Sequence, residues 1–405
     1  MSPSETSETW TLKSRPEDFH VEEIASYEPS GKGTHLWMRL EKRGLSTRAA
    51  VGRLAEALGV PPRAIGYAGQ KDARALTRQW LSLEHAPADT AERLVALLGT
   101  EADLGPERPL VISEITQHKN RLGLGHLHGN RFRIRVRDLE PVNFAAVGAR
   151  LDELACTGAP NYFGPQRFGH RGDSGKIGGA LLGGRPLEAL ELLLGRVSDL
   201  DTGRIRDARA FFDAGDLRSA HKTWPRDYRL ERNVLEKLLQ DAAPESVLVK
   251  ADRRDLDFFL AAHQSELFNA LLDRRLEEAG GLGLVEGDLG MRLPIGRKAF
   301  VIEDLAVEEE RAARLEIAPS GPLYGPKMPW PTGQPYEWEL GNLVDHGLNP
   351  EDLGLGLPGG RRSLTMRVEE TSCSPGADDF GDYLELRFRL SKGNYATSLL
   401  AALQS

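Results

Sequence analysis

The chain has only two cysteines in 405 residues, Cys156 and Cys373, and they lie far apart. Neither a disulfide framework nor a four-ligand zinc site can be assembled from them, so both are expected as small buried apolar residues. No apolar run approaches the roughly 20 residues of a membrane span. The first ten residues, Met1 to Trp10, are polar and acidic and lack the charged and apolar regions of a signal peptide. These absences predict a reduced, cytoplasmic location and no membrane partner. His126 and His128 stand two apart, but no third histidine or carboxylate is spaced to join them, so no metal is expected. A dinucleotide fingerprint is missing as well, and no cofactor is expected. Internal repeats and low-complexity segments are also missing. The formal net charge of −8 argues against a globally basic nucleic-acid binder. Phosphates, however, feel the local surface and not the total.

The length favours two domains. Leu36 to Leu40, Ile65 to Ala68, Trp80 to Leu83 and residues 121–137 read as strands, the last with Phe132, Ile134 and Val136 on one side and Arg131, Arg133, Arg135 and Arg137 on the other. Ser46 offers a helix cap, Val51, Leu54, Ala55 and Leu58 share one helical face, and Gly59 ends it. Near residue 158 the character changes. Helices are expected at 186–195, 204–214, 231–240 and 255–279, the last with Leu256, Phe259, Leu260, His263, Leu267, Ala270 and Leu271 on one stripe. Residues 280–360, rich in Gly and Pro, read as short strands and loops. Alternation returns in Tyr383 to Leu390, followed by a short helix from Ala396 to Leu403. The tail is too short to fold alone and belongs with the N-terminal sheet. The expected division is therefore residues 1–157 plus 367–405, with 158–366 as an insertion.

Three segments carry candidate chemistry. Asp72, beside Lys71 after a short apolar strand, is either a carboxylate kept ionised by a cation or a solvated turn residue. The arginines of 131–137, with His118, Lys119 and Arg121, offer phosphate contacts or a plain exposed face, and Asn130 carries an amide able to read a base edge. Phe19, Phe132 and Tyr395 present aromatic faces that suit a stacked base; on its apolar strand face, Phe132 is better read as core packing. Gly172-Asp-Ser174-Gly175 matches a serine-nucleophile segment, but Lys176 replaces the next glycine. A phosphate-loop reading of Gly175-Lys176 fails because His170 and Ile177 occupy the wrong places.

Taken in order, several pieces resemble the tRNA pseudouridine synthases of the D class, which modify uridine 13 of tRNA. They are Lys13-Ser-Arg-Pro-Glu-Asp-Phe19, Gly69-Gln-Lys-Asp72 with Thr77 and Gln79-Trp80, Gly129-Asn130-x-Phe132, Pro160 to Gly169, Leu267-Phe-Asn269, Pro319 to Gly325 and Tyr395-Ala-Thr-Ser398. The resemblance implies a pseudouridine synthase fold: an α+β catalytic domain with a mixed, largely antiparallel sheet, interrupted by an inserted class-specific α+β domain. It implies that Asp72 is catalytic with Lys13 as its ion-pair partner. It further implies that Phe19, Asn130, Phe132 and Tyr395 contact the target in a cofactor-free, metal-free reaction on tRNA. A tyrosine at 395, where the family often has Phe, keeps the stacking face and adds a hydroxyl. The chain is expected to act as a monomer. Two other readings are an RNA-binding protein of the same fold without catalysis and a serine hydrolase using Ser174.

Overall fold

Strands with period-two alternation assemble the larger sheet. The computed structural model describes residues 10–404 apart from 87–88, 100–102, 106, 108 and 297. The chain divides into two compact units, Met1–Ala159 with Met366–Ser405, and Pro160–Thr365. The first unit carries β1 (Phe19–Ala25), β2 (His35–Arg43), β3 (Ile65–Tyr67), β4 (Leu76–Glu84), β5 (Leu110–His118), β6 (Leu127–Val136), β7 (Val368–Asp378) and β8 (Gly381–Ser391). Their order is β7-β8-β6-β1-β4-β2-β5, with β3 paired to β4. β1 runs parallel to β4 while its other neighbour, β6, is antiparallel. This is the mixed-sheet α+β architecture that the sequence predicts. The C-terminal strands join the N-terminal sheet because β8 pairs with β6 from Leu384 opposite Val136 to Ser391 opposite Gly129.

Four helices of this unit are α1 (Thr47–Leu58), α2 (Thr90–Leu98), α3 (Phe144–Thr157) and α4 (Ala396–Ala402). The Ser46 side chain caps α1 by accepting from the Ala49 amide, and Gly59 ends it at φ +70°, a conformation glycine adopts without strain. Phe19, Val21, Phe132, Ile134 and Phe388 form one apolar cluster with Val147, Leu151 and Leu154 of α3 and Leu399 of α4. Met38, Leu40 and Leu81 form another with Val51 and Leu54 of α1.

Register shows what lies between these clusters. Thr77 sits opposite Val21 on one side and Lys42 on the other. Val21 in turn faces Phe132, which faces Phe388. Paired residues share a face of the sheet, and so do residues two apart. Lys42, Thr77, Gln79, Glu23 and Asn130 therefore form a polar strip on the face whose flanks are apolar.

The strand expected over 121–137 begins only at Leu127. Cys156 is exposed and Cys373 half-buried, contrary to expectation. The buried stripe of α3 is Val147, Leu151 and Leu154, and Cys156 falls off it.

In the second unit the expected helices appear as Pro186–Leu194, Gly203–Asp213, Arg229–Leu239 and Arg253–Ala279. The last buries Phe268 and Leu272 as well as Phe259, Leu260, Leu267 and Leu271, so it is packed on more sides than one stripe implies. Residues 280–360 hold two unexpected helices, Leu305–Ala313 and Gly333–Asp345, beside strands of a four-stranded sheet. Asp304 caps the first through the Ala306 and Val307 amides, a local signal that the surrounding Gly and Pro obscured.

Leu81 is fully buried in the centre of β4. Leu81→Ala is expected to cost about 2–5 kcal/mol through lost contacts and the cavity left behind. Chemical denaturation should show a lower midpoint at unchanged slope.

Candidate active site

Residues 11–19 form a clamp. Thr11 and Arg137 exchange backbone hydrogen bonds of 3.0 and 3.2 Å. Pro16 starts a single 3₁₀ turn, where a missing N–H costs nothing. Asp18, fully buried, accepts from the Arg15 amide at 3.2 Å and from the Arg137 guanidinium at 2.8 and 3.0 Å. The Pro-Glu-Asp-Phe spacing thus fixes where β1 begins and holds Phe19 at its first position. Lys13 lies in the left-handed region at φ +59°, which costs a non-glycine residue about 1–2 kcal/mol. Its Nζ binds Asp72 Oδ2 and lies 4.3 Å from the Phe19 ring centroid.

The Asp72 loop is tied down by buried groups. The Lys71 amide donates to Thr47 Oγ1 at 2.9 Å, Thr47 donates to Gln79 Oε1 at 2.8 Å, and Gln79 Nε2 donates to the Gly69 carbonyl at 3.2 Å. Lys42, with no exposed surface, donates to the Asp72 carbonyl at 2.9 Å and to that of Leu45. Lys71 points away from Asp72 into a buried ion pair with Glu23 at 2.6 Å. Glu23 lies opposite Asn130. Asn130 Oδ1 is buried and accepts no hydrogen bond among the described residues. A buried acceptor without a donor is costly.

The Asp72 side chain is 34% exposed. Burial raises its carboxyl, but the Lys13 hydrogen bond, the Arg74 amide at 2.8 Å and the charges of Lys13 and Lys42 more than offset this and hold it below the ordinary aspartate value. Burial lowers the Lys42 ammonium to about 8, against the upward pull of Asp72.

Of the expected residues, Lys13, Asp72 and Phe19 are brought together. Phe132 is buried, edge-on to Phe19 at 6.3 Å and stacked on Phe388 at 5.2 Å, as its apolar face suggested. Tyr395 is half-buried at the start of α4, four residues beyond the Ser391–Gly129 pairing that adjoins Asn130. Sequence reasoning missed Lys42, Thr47 and Gln79 as anchors of the loop. It also read Arg137 as a phosphate contact, whereas this arginine is buried between Asp18 and Asp378. Arg131 pairs with Glu370 at 2.7 Å and Arg135 with Asp378 at 3.2 Å, so the expected open row of cations is largely an ion-pair ladder. Ser174, in the second unit, is buried and hydrogen-bonds no histidine among the described residues.

Fold and site define a mixed-sheet α+β protein centred on one ionised carboxylate. A solved structure from Methanosarcina mazei described as a tRNA pseudouridine synthase D is similar to this chain at a TM-score of 0.80, with 27% identity over 98% of this chain and 94% of that one. A relative named tRNA pseudouridine synthase D from Geobacter sulfurreducens is 38% identical, covering 96% of this chain and 92% of its own length. Another of that name from Syntrophotalea carbinolica is 35% identical over 96% and 94%. The chain belongs to the tRNA pseudouridine synthase D (TruD) family, whose model matches residues 5–403.

Burial is the largest influence on the Asp72 carboxyl and Lys13 its strongest opponent. Lys13→Met is therefore expected to move its pKa upward, toward or above the ordinary aspartate value. The check is a carboxyl-carbon NMR titration of Asp72 in both proteins; an unchanged midpoint contradicts the assignment of Lys13 as countercharge.

Proposed function

We propose that this chain isomerises uridine to pseudouridine in tRNA, at uridine 13, using Asp72. The observation that carries this reading is a carboxylate held ionised by Lys13 at the edge of a polar strip that also presents an unpartnered buried acceptor, Asn130 Oδ1. The first unit is the catalytic domain and the second, residues 160–365, is the class-specific insertion.

The reaction breaks the bond from the ribose to uracil N1, turns the base, and joins carbon 5 to the same sugar carbon. The proton lost from carbon 5 is matched by one gained at N1, so the atoms balance without an added group. Asp72 acts on the ribose either as nucleophile at the anomeric carbon or as base on the neighbouring C–H. Both routes require it ionised at neutral pH, which Lys13 provides. Uracil presents an N3–H, which Asn130 Oδ1 accepts, and Phe19 and Tyr395 supply rings that retain the detached base. Phe132 backs Phe19 from the core. A nucleotide within folded tRNA must be extruded to reach such a site, at a cost of a few kcal/mol. The family relationship to relatives named as tRNA pseudouridine synthases supports the substrate. Among the described residues no helix is long and apolar enough to cross a membrane, and the proposed enzyme acts as a monomer in the cytoplasm.

Asp72→Asn preserves shape and removes the charge. Pseudouridine formation on unmodified tRNA should fall by about 10²–10⁴-fold or more while tRNA binding persists. Ser174→Ala should leave product formation intact. Undiminished product from Asp72→Asn defeats the proposal. No product from the unaltered protein on any tRNA favours the catalytically silent binder, or the hydrolase if it instead cleaves an ester substrate in a reaction that Ser174→Ala abolishes.

A further inference from the structure

The sheet face opposite the polar strip carries a ladder of charges. On it Arg39 pairs with Glu22, Arg78 with Glu41 at 2.7 Å, Arg387 with Glu385 at 2.7 Å, and Arg131 and Arg389 both with Glu370 at 2.7 and 3.2 Å. Among the described residues Arg133 stands in the middle of this ladder with no carboxylate at ion-pair distance, acting on Glu385 only from farther off, and its Nε is buried without a hydrogen bond. Its direct cross-strand neighbours are His20 on β1 and Arg387 on β8. Three basic side chains in one row is an arrangement that sheets disfavour unless something negative lies over it. The imidazole feels these cations in addition to its burial. Burial and then the charges of Arg133 and Arg78 push His20 down to about 4, against a smaller upward pull from Glu385.

A pocket of about 280 Å³ opens over this row, lined in part by His20, Arg131, Arg133, Ser372 and Arg387. The two carboxylates in its wall, Glu22 and Glu370, are already committed to arginines, as nearby Glu385 is to Arg387, so Arg133 is the guanidinium of this lining without an ion pair among the described residues. A guanidinium fork with a hydroxyl beside it matches tetrahedral oxyanions. The volume lies just below the roughly 300–1,000 Å³ of ordinary ligand sites, enough for a phosphate and its attached sugar.

We propose that this pocket is a phosphate-binding site, with the Arg133 guanidinium as its principal cation and Arg131, Arg387 and the Ser372 hydroxyl as its rim. The phosphate comes either from an RNA backbone or from a free phosphate ester. The RNA case rests on the activity proposed above, whereas the free-phosphate case does not.

The test titrates the intact protein with inorganic phosphate at constant ionic strength and follows His20 by NMR. A bound anion stabilises imidazolium, so phosphate should raise the His20 midpoint from its low value. Of the other charged groups facing it, Arg78 and Glu385 are unchanged in every arm, so each variant is compared with the unaltered protein against the same background. Arg133→Gln should weaken phosphate binding about tenfold or more, and Arg133→Lys should restore part of it. Equal affinity in Arg133→Gln, or no His20 response in the unaltered protein, overturns the site. If Arg133→Gln fails to fold by circular dichroism, the unaltered protein's titration and Ser372→Ala decide, the latter expected to weaken binding. A raised KM for tRNA at unchanged kcat in Arg133→Gln identifies the RNA backbone as the source. Unchanged tRNA kinetics with lost phosphate binding identify a free ester. Phosphate binding that persists where Asp72→Asn has no effect on pseudouridine formation would sink the isomerase alone.

Discussion

The ion pair between Lys13 and Asp72 governs the structure around it. An aspartate drawn partly out of water between two apolar clusters tends to protonate, because desolvation penalises the charged form. The Lys13 ammonium on its Oδ2, with the Arg74 amide and the charge of Lys42, reverses that tendency. Holding the ammonium there requires the chain before β1 to pass through an unfavourable left-handed residue, and that strain is maintained by groups which do not touch the carboxylate. They are the Thr11–Arg137 bridge and the buried Asp18–Arg137 pair. Backbone strain of this kind persists only where the surroundings over-determine it. Here the surroundings are two charge-assisted hydrogen bonds in a dry environment.

Much of the first unit is legible in the sequence because its signals are local. Alternation in 131–136 and 383–390 gives strands, and Ser46 and Gly59 bracket a helix. The return of the tail to the N-terminal sheet follows from its being too short to bury a core alone. What was hidden depends on register. Lys42 reads as one more charge in Glu-Lys-Arg-Gly, and only the pairing of β2 with β4 turns it inward, opposite Thr77. Glu23 reads as half of an acidic pair, and only its place on β1 sets it against Lys71. At Arg131, Arg135 and Arg137 the error is of the same type. Alternation shows that arginines share a face, but the carboxylates that neutralise them lie far off in sequence, Arg135 and Asp378 being separated by 243 residues and Arg137 and Asp18 by 119. Sequence reading gave the charge of one strand without that of its neighbours.

That ladder also reconciles a strand of three arginines with a chain of net charge −8. Cross-strand ion pairs let β6 sit between β1 and β8 without accumulating repulsion, and opposite charges across strands contribute roughly 0.2–1 kcal/mol each. The face is therefore nearly neutral in the large and specific in the small. An unpaired Arg133 stands out against paired neighbours far more than it would on an open basic surface.

The two lysines that serve Asp72 have different environments, and the difference suits the proposed chemistry. Lys42 is wholly buried and holds the aspartate's backbone carbonyl, while Thr47 and Gln79 fix the same loop through neutral hydrogen bonds. Removing a buried donor leaves its acceptor stranded at about 1–3 kcal/mol, so each of these ties favours the loop's present position. Lys13 and Asp72 keep 24% and 34% of their side-chain surface in solvent, where ion pairs are worth about 0–1 kcal/mol net. In the proposed reaction a carboxylate oxygen must leave the ammonium to meet the ribose. A countercharge that lowers the carboxyl's pKa yet is only weakly bound to it permits that exchange, and the buried anchors keep the loop in place while it happens.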